Sequence, residues 1–376
     1  MRLLAFVTDA YGGHGGVAKV NRDLFDAWLA HPVIDRVTVV PRSGGAASVA
    51  APPGVDHRAE AATGIRAFLS ETAQAIAAGG YDGVFAGHLH LAPFAAAAAK
   101  RAGVPWILLL HGIEAWGPPH WPATQGRLMT ALTLRAARTA DTFVTVSDVT
   151  RQRYARRVGL RADDGIVVPN SVDPSSYGAG PKRADLLDRY GLRNRTVLMT
   201  LARLSPDERY KGIDEVMEAL PELATTHPNV SYLICGSGDD RNRLEAKARD
   251  LGVHDRVVFA GYVDEAEKAD HYRLADAFVM PGWGEGFGIV YLEALACGVP
   301  VVASSKDASH EAVLDGELGV VVDPHDPTSV VEGIRDALAR PKGVPAGLDT
   351  FSQAQFGERW RSVAERTFGP ALSTTV

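Results

Sequence analysis

Glu285-Gly286-Phe287-Gly288-Ile289-Val290-Tyr291-Leu292-Glu293 is the stretch that decides the reading of this chain. Before it, Phe278-Val279-Met280 has the apolar character of a buried strand, and Pro281-Gly282-Trp283-Gly284 reads as a turn. Residues 288–297 then read as a helix. A glycine-rich strand-to-helix turn leaves backbone N–H groups open at a helix N-terminus, where phosphate binds readily. Glu285 lies at the mouth of that anion site, and Glu293, eight positions on, lies more than a turn along the helix. A ligand with a phosphate and with hydroxyls at both ends suits this layout, and a sugar nucleotide is such a ligand. The plain alternative is a buried helix with one exposed and one capping glutamate.

Working outward, short apolar runs alternate with helical patterns along nearly the whole chain. The first half offers strands at 3–7, 37–40, 83–86, 106–110, 142–146 and 165–168. The second offers them at 196–201, 231–235, 256–259, 277–280, 299–303 and 319–322. Continuous apolar strands between helices indicate parallel sheets covered on both faces. Two such series predict an α/β chain of two doubly wound domains, with ligand crevices beyond the carboxyl ends of the strands. The break falls between Asn170 and Tyr190, where Pro174, Ser175, Ser176, Gly178, Gly180 and Pro181 cluster. The expected division is therefore 1–172, a linker over 173–190, and 191–352, with a last helical stretch after 353 that has no strand of its own.

The 376-residue length agrees with two domains. Hydrophobic content of 46% and charged content of 22% are those of a soluble globular chain. A net charge of −6 gives no electrostatic reason to expect nucleic acid. The two cysteines, Cys235 and Cys297, sit in apolar runs and read as core residues of a reducing compartment. The N-terminal apolar run, 3–7, is too short for a signal peptide or a membrane span, so a cytoplasmic enzyme is expected.

Other strand ends carry chemistry. After the first strand, Tyr11-Gly12-Gly13-His14-Gly15-Gly16-Val17 opens a helix, and such a loop lets backbone approach a pyrophosphate. Gly13, Gly15 and Ala18 satisfy a loose dinucleotide fingerprint, but the acid that should follow the second strand is replaced by Pro41-Arg42-Ser43, which weakens an NAD reading. In the second half, Arg203 and Lys211 fall at a sheet edge where a fork and a point charge can neutralise a diphosphate. His111 follows the strand 106–110 directly, and Trp116, His120 and Trp121 follow in a proline-rich loop that either lines an acceptor site or merely packs. No residue cluster has metal-ligand spacing, so no metal and no cofactor are expected. A Gly-X-Ser-X-Gly elbow is absent, which argues against an α/β-hydrolase.

With these residues in hand, the chain resembles the retaining GT-B glycosyltransferases of glycosyltransferase family 4. The resemblance runs over nearly the whole length. It rests on the Gly15-Gly16 loop, His111-Gly112, Val168-Pro169-Asn170-Ser171-Val172-Asp173, Arg203 with Lys211-Gly212, Gly236-Ser237-Gly238, Glu285 through Glu293, and Ala296-Cys297-Gly298-Val299-Pro300-Val301-Val302. It implies that Arg203 and Lys211 hold the donor diphosphate, Glu285 meets the transferred sugar, and Glu293 binds the ribose. It implies that Gly236, Gly286, Phe287 and Gly288 complete the donor site and that Gly15 and Gly16 approach the diphosphate from the other domain. His111 then lies by the reacting centre, and the helix after 353 crosses back onto the first domain. From the residues themselves, His14, Trp116 and Trp121 are the candidates for meeting the acceptor, with loop packing as the alternative. Two segments depart from the family pattern. Ser205-Pro206-Asp207-Glu208-Arg209-Tyr210 lengthens the loop before Lys211 and makes Arg209 a second phosphate candidate. Asp307-Ala308-Ser309-His310-Glu311 stands where a Gly-Gly-X-Pro-Glu turn is usual.

The expected reaction is transfer of a hexosyl group from a UDP- or GDP-sugar to an acceptor hydroxyl with retained configuration and no metal, in glycan, glycolipid or polysaccharide biosynthesis. A double displacement needs a carboxylate nucleophile beside the anomeric carbon. Glu285 is the nearest candidate, and its implied role is binding, so attack from the leaving-group face is favoured. The acceptor is a carbohydrate, a lipid-linked glycan or a small molecule. Rivals are a GT-B epimerase or pseudo-glycosyltransferase and, further off, an NAD-dependent dehydrogenase. Arg127, Arg135 and Arg138, then Arg151, Arg153, Arg156, Arg157 and Arg161, form a basic region. It reads first as a solvated helix surface and alternatively as peripheral contact with anionic lipid at the inner face of a membrane.

Overall fold

The computed structural model describes residues 1–13, 15–44, 49–116 and 127–372. The chain divides into two compact units, one of residues 1–170 with 353 onward and one of Ser171–Ser352.

In the first unit the strands are β1 (Arg2–Val7), β2 (Arg36–Pro41), β3 (Val55–His57), β4 (Gly83–Ala86), β5 (Trp106–Leu110), β6 (Thr142–Thr145) and β7 (Gly165–Val167). They form one parallel sheet in the order β3-β2-β1-β4-β5-β6-β7. In the second, β8 (Thr196–Leu201), β9 (Val230–Cys235), β10 (Val257–Gly261), β11 (Ala277–Val279), β12 (Val301–Ser304) and β13 (Val320–Val322) form a parallel sheet in the order β10-β9-β8-β11-β12-β13. Both orders reverse direction once, between β1 and β4 and between β8 and β11, and ligands gather outside strand ends at such a reversal. The strands are apolar along their length because helices cover both faces: Leu3 to Val7 and Trp106 to Leu110 are all buried.

Twelve strands stand within two residues of where the sequence places them. β3 is the exception and corrects the expected six strands of the first half to seven. It has three half-buried residues, Val55-Asp56-His57, pairing with Val37, Thr38 and Val39 at the sheet edge. One apolar side chain in three gives no periodicity to read.

The helix Gln353–Leu372 belongs to the first unit. Its buried residues Phe356, Trp360, Val363, Ala364 and Phe368 recur at helical spacing. Trp360 meets Trp28 edge-on at 6.0 Å, and a Cβ at Gly83 would lie 2.4 Å from the Phe368 ring. A bare strand position is what lets this helix lie against the sheet.

Residues 173–190 lie in the second unit. Tyr177 is buried, Ala184–Arg189 is a helix, and Lys182 and Arg183 pair with Asp276 and Asp270 at 2.8 and 2.9 Å.

Candidate active site

The segments after β8 and β11 interlock through glycine. Gly212 has φ +80°, and a Cβ there would lie 2.3 Å from the carbonyl oxygen of Pro281. A Cβ at Gly282 would lie 2.5 Å from the carbonyl oxygen of Tyr210, and the Trp283 N–H donates to that same oxygen at 2.9 Å. Two backbones this close admit no side chain between them. Their approach brings Lys211 Nζ to 2.5 Å from Glu285 Oε2. Burial pulls the Lys211 ammonium towards its neutral form, but Glu285, Tyr210 and Glu208 together outweigh it, and the net shift is upward. Lys211 Nζ also lies 5.4 Å from the centre of the Tyr210 ring.

Glu285 is held from behind. The buried Asp307 accepts its N–H at 3.0 Å, and Glu285 Oε1 accepts the N–H of Gly286 at 3.1 Å. Burial pushes the Asp307 carboxyl up, while the Ser309 hydroxyl and the backbone N–H groups it accepts draw it back. Gly288, at φ +87°, caps the helix Ile289–Ala296, and Phe287 is buried with its ring 5.6 Å from that of Phe351. Arg203 is the exposed member of the set, 79% accessible, with its guanidinium on Glu208. Gly236 follows β9 at φ +137°, where a Cβ would lie 1.8 Å from the carbonyl oxygen of Ala202. The carboxyl edge of this sheet thus carries a fixed ammonium, an exposed guanidinium and a carboxylate, parts suited to a diphosphate and to sugar hydroxyls.

Glu293 belongs to a different set of contacts. Its buried carboxylate accepts the Tyr177 hydroxyl, the Lys268 ammonium and the Tyr272 hydroxyl, each at 2.7 Å. Arg209 does not join Lys211 but pairs with Asp240 at 3.3 Å.

In the first unit, the loop after β1 is braced by the helix Gly16–Leu29. Asn21 donates to the Asp9 carbonyl at 2.8 Å, and Arg22 donates to the carbonyls of Ala10 and Gly13. Gly12 is sterically required, since a Cβ there would lie 2.4 Å from the backbone carbonyl oxygen of Gly44, while a Cβ at Gly13 would meet the Asp9 carboxylate at 2.4 Å. Gly15, the N-cap, has open space around it, and Gly16 begins the helix. His111 stands at the end of β5, where its Nε2 lies 3.0 Å from the carbonyl oxygen of Gly87. Trp116 ends the short helix Ile113–Trp116, while His14, His120 and Trp121 lie outside the described residues.

Sequence reasoning missed four residues. Asp307 stands in the segment that departs from the family pattern, but its hold on Glu285 is made across 22 residues. Glu114, His88 and His90 gather around His111, and the only linear signal was Gly87-His88-Leu89-His90 at the carboxyl end of β4. Among the described residues no group of three or more His, Cys, Asp or Glu is placed to hold a metal ion.

Comparison with known proteins adds to this geometry. Residues 189–347 match the family model for glycosyl transferases group 1, and residues 14–176 match that for Glycosyltransferase Family 4. A GDP-mannose-dependent alpha-(1-6)-phosphatidylinositol monomannoside mannosyltransferase of Mycolicibacterium smegmatis is 40% identical over 278 residues, which are 71% of this chain and 70% of that protein. A phosphatidyl-myo-inositol mannosyltransferase of the same organism is 40% identical over 196 residues, 52% of this chain and 46% of that one. Among solved structures, Anabaena Alr3699/HepE in complex with UDP and glucose superposes with a TM-score of 0.69 at 23% identity, over 98% of this chain and 95% of that one. The lipopolysaccharide outer core galactosyltransferase WaaB superposes with a TM-score of 0.70 at 17% identity, over 97% and 99%. The last two likenesses are of fold.

Proposed function

The chain belongs to glycosyltransferase family 4, and from that membership we propose that it transfers a mannosyl group from GDP-mannose to a hydroxyl of a phosphatidylinositol-type glycolipid. The transfer retains anomeric configuration and needs no metal ion. The donor and acceptor are those named for the relatives that are 40% identical. The observation in this chain that carries the reading is the Lys211–Glu285 pair at the carboxyl edge of the second sheet, with Arg203 exposed in the segment that follows β8.

In this reading Lys211 and Arg203 meet the diphosphate, together with backbone N–H groups near Gly236 and Gly288. The bond from the anomeric carbon to the phosphate oxygen breaks, the bond to the acceptor oxygen forms on the same face, and the acceptor's proton passes to a diphosphate oxygen. Glu285 reads sugar hydroxyls; a carboxylate already engaged by Lys211 and the Gly286 N–H is poorly placed as a nucleophile. Stabilising the departing diphosphate is the main catalytic task, and one preorganised donor of this kind is worth about 100- to 1000-fold in rate. His111 acts beside the reacting centre, and His14, Trp116 and Trp121 remain the acceptor candidates.

A phospholipid acceptor puts the reaction at a membrane surface. No helix of the described residues is long and apolar enough to cross a membrane, so the contact proposed is peripheral. The exposed Leu128, Met129 and Leu132 on the helix Arg127–Ala137 are the surface to test. Several basic residues once read for this role are engaged elsewhere: Arg151 pairs with Asp148, and Arg138 and Arg157 donate to backbone carbonyls.

The test is to incubate the protein with GDP-mannose or UDP-glucose, with phosphatidylinositol or its monomannoside, in EDTA. Lipid products are weighed by mass spectrometry and their anomeric configuration is read by NMR. A mannosylated lipid formed in EDTA with an α-linkage supports the proposal. An altered nucleotide sugar without glycolipid favours the epimerase reading, and product formed only with added metal overturns metal independence.

A further inference from the structure

His88, His90, His111 and Glu114 come together beyond the ends of β4 and β5, next to the point where the first sheet reverses direction. Glu114 is buried, 3% exposed, and yet carries a carboxylate. A carboxylate so placed must be met by donors. Its Oε2 accepts the N–H of Gly112 at 2.9 Å and that of His111 at 3.1 Å. Its Oε1 lies 3.3 Å from His88 Nε2. His88 Nδ1 in turn lies 2.7 Å from His90 Nδ1 and receives the His90 backbone N–H at 3.4 Å.

These partners assign the protons. The His90 backbone N–H can only donate, so His88 Nδ1 is an acceptor and the proton of His88 sits on Nε2, facing Glu114. His90 Nδ1 then carries its own proton and donates to His88. Burial holds the His88 imidazole down to about 4 and, with the neighbouring His88, holds His90 down to about 3, so both are neutral near pH 7. Gly87 offers His111 Nε2 only a carbonyl oxygen, so the proton of His111 is also on Nε2. Burial, again the first cause, lowers the His111 pKa and favours its neutral form. Its other nitrogen, Nδ1, has no hydrogen-bond partner among the described residues, and the side chain is only half-buried.

We propose that Glu114 and His88 are positioning residues for His111, fixing its turn so that imidazole Nδ1 stands as an unprotonated acceptor for a ligand hydroxyl. The proposal rests on the glycosyl-transfer reading and adds to it a direction: His111 receives a hydrogen bond from a sugar or acceptor hydroxyl and does not donate one. Glu114 sets the backbone of His111 and Gly112, Gly87 sets the ring, and His88 completes the coordination of Glu114. The segments after β4 and β5, separate in sequence, therefore share one carboxylate.

The first test is a long-range 1H–15N correlation on protein labelled with 15N-histidine, with His111 assigned by its loss in His111→Asn. At neutral pH the expected pattern is Nε2–H with an unprotonated Nδ1, whose resonance shifts when GDP-mannose or phosphatidylinositol monomannoside is added. An Nδ1–H tautomer, an imidazolium, or an Nδ1 resonance unmoved by either ligand overturns the proposal. The second test is Glu114→Gln, whose amide cannot accept from both backbone N–H groups and from His88 at once. Its kcat should fall about 10- to 100-fold, by analogy with the range seen when the outer-shell partner of a metal-ligating histidine is lost, with donor KM little changed. A rate that falls only in step with the folded fraction, or not at all, also overturns it. Should the wild-type protein transfer no sugar from any nucleotide donor, the functional reading fails, while the tautomer experiment still decides the geometry.

Discussion

Lys211 and Glu285, 74 residues apart in sequence, meet at 2.5 Å from Nζ to Oε2. The contact ties the segment after β8 to the segment after β11, the two central strands of the second sheet. A cation that is kept charged by its partner is ready to meet a diphosphate without reorganising. Lys211→Ala should therefore lower kcat with GDP-mannose by about 100- to 1000-fold. Lys211→Arg should restore little, because a planar fork cannot replace a compact ammonium in the space set by Gly212 and Gly282. Steady-state kinetics of the two variants decide this: full activity in Lys211→Ala would remove Lys211 from the diphosphate role, and full activity in Lys211→Arg would show that any cation serves there.

The glycines divide by geometry, and stability should follow the division. Gly236→Ala puts a Cβ 1.8 Å from the Ala202 carbonyl oxygen at φ +137°, and Gly212→Ala puts one 2.3 Å from that of Pro281 at φ +80°. Each should destabilise by about 1–3 kcal/mol or more from backbone strain and clash. Gly15→Ala meets open space at φ −67° and should stay within about 0.5 kcal/mol of wild type. Urea denaturation of the three variants orders them, and equal stabilities would mean that the loops relax freely.

What the sequence showed and what it hid have the same physical source. Strands covered on both faces are apolar runs bounded by turn residues, so twelve of them were legible, while β3 has too few residues to carry a pattern. Lys211 and Glu285 were legible as separate residue types at strand ends; their ion pair was not, since it depends on the interlocking of Tyr210–Gly212 with Pro281–Gly284. Glu114 was invisible for a related reason. It follows His111 by three residues and reads as an ordinary first-turn acid, and only the fold brings His88 to its other oxygen.

Glu293 offers a separation of structural from ligand-binding roles. Its carboxylate joins Tyr177 of the 173–190 segment, Lys268 and Tyr272, all at 2.7 Å, with its side chain 3% exposed. Removing one partner of a buried ion pair typically costs about 3–5 kcal/mol. Glu293→Ala should therefore lower the stability of the ligand-free protein by about that amount. Were Glu293 reserved for a ribose hydroxyl alone, chemical denaturation without nucleotide would give wild-type stability and only donor affinity would fall.

Glu215, in the first turn of the helix Ile213–Thr226, should make stability depend on pH in a defined direction. Its Oε2 is buried without a partner among the described residues, and burial pushes the carboxyl up to about 7, with Asp214 and Glu218 adding to the effect and its own backbone N–H opposing it. An acid raised in the folded state binds its proton more tightly there than in the unfolded chain. Its contribution is fully present below the ordinary value of 4.5 and is lost as pH rises through about 7. Glu215→Gln keeps the neutral form at every pH. The variant and the wild type should melt alike in the acid limb, and the variant should melt higher at pH 8, with the gap opening between the two values. Differential scanning calorimetry across this range gives the comparison, and a gap that is constant with pH would show that Glu215 titrates as an ordinary surface carboxylate.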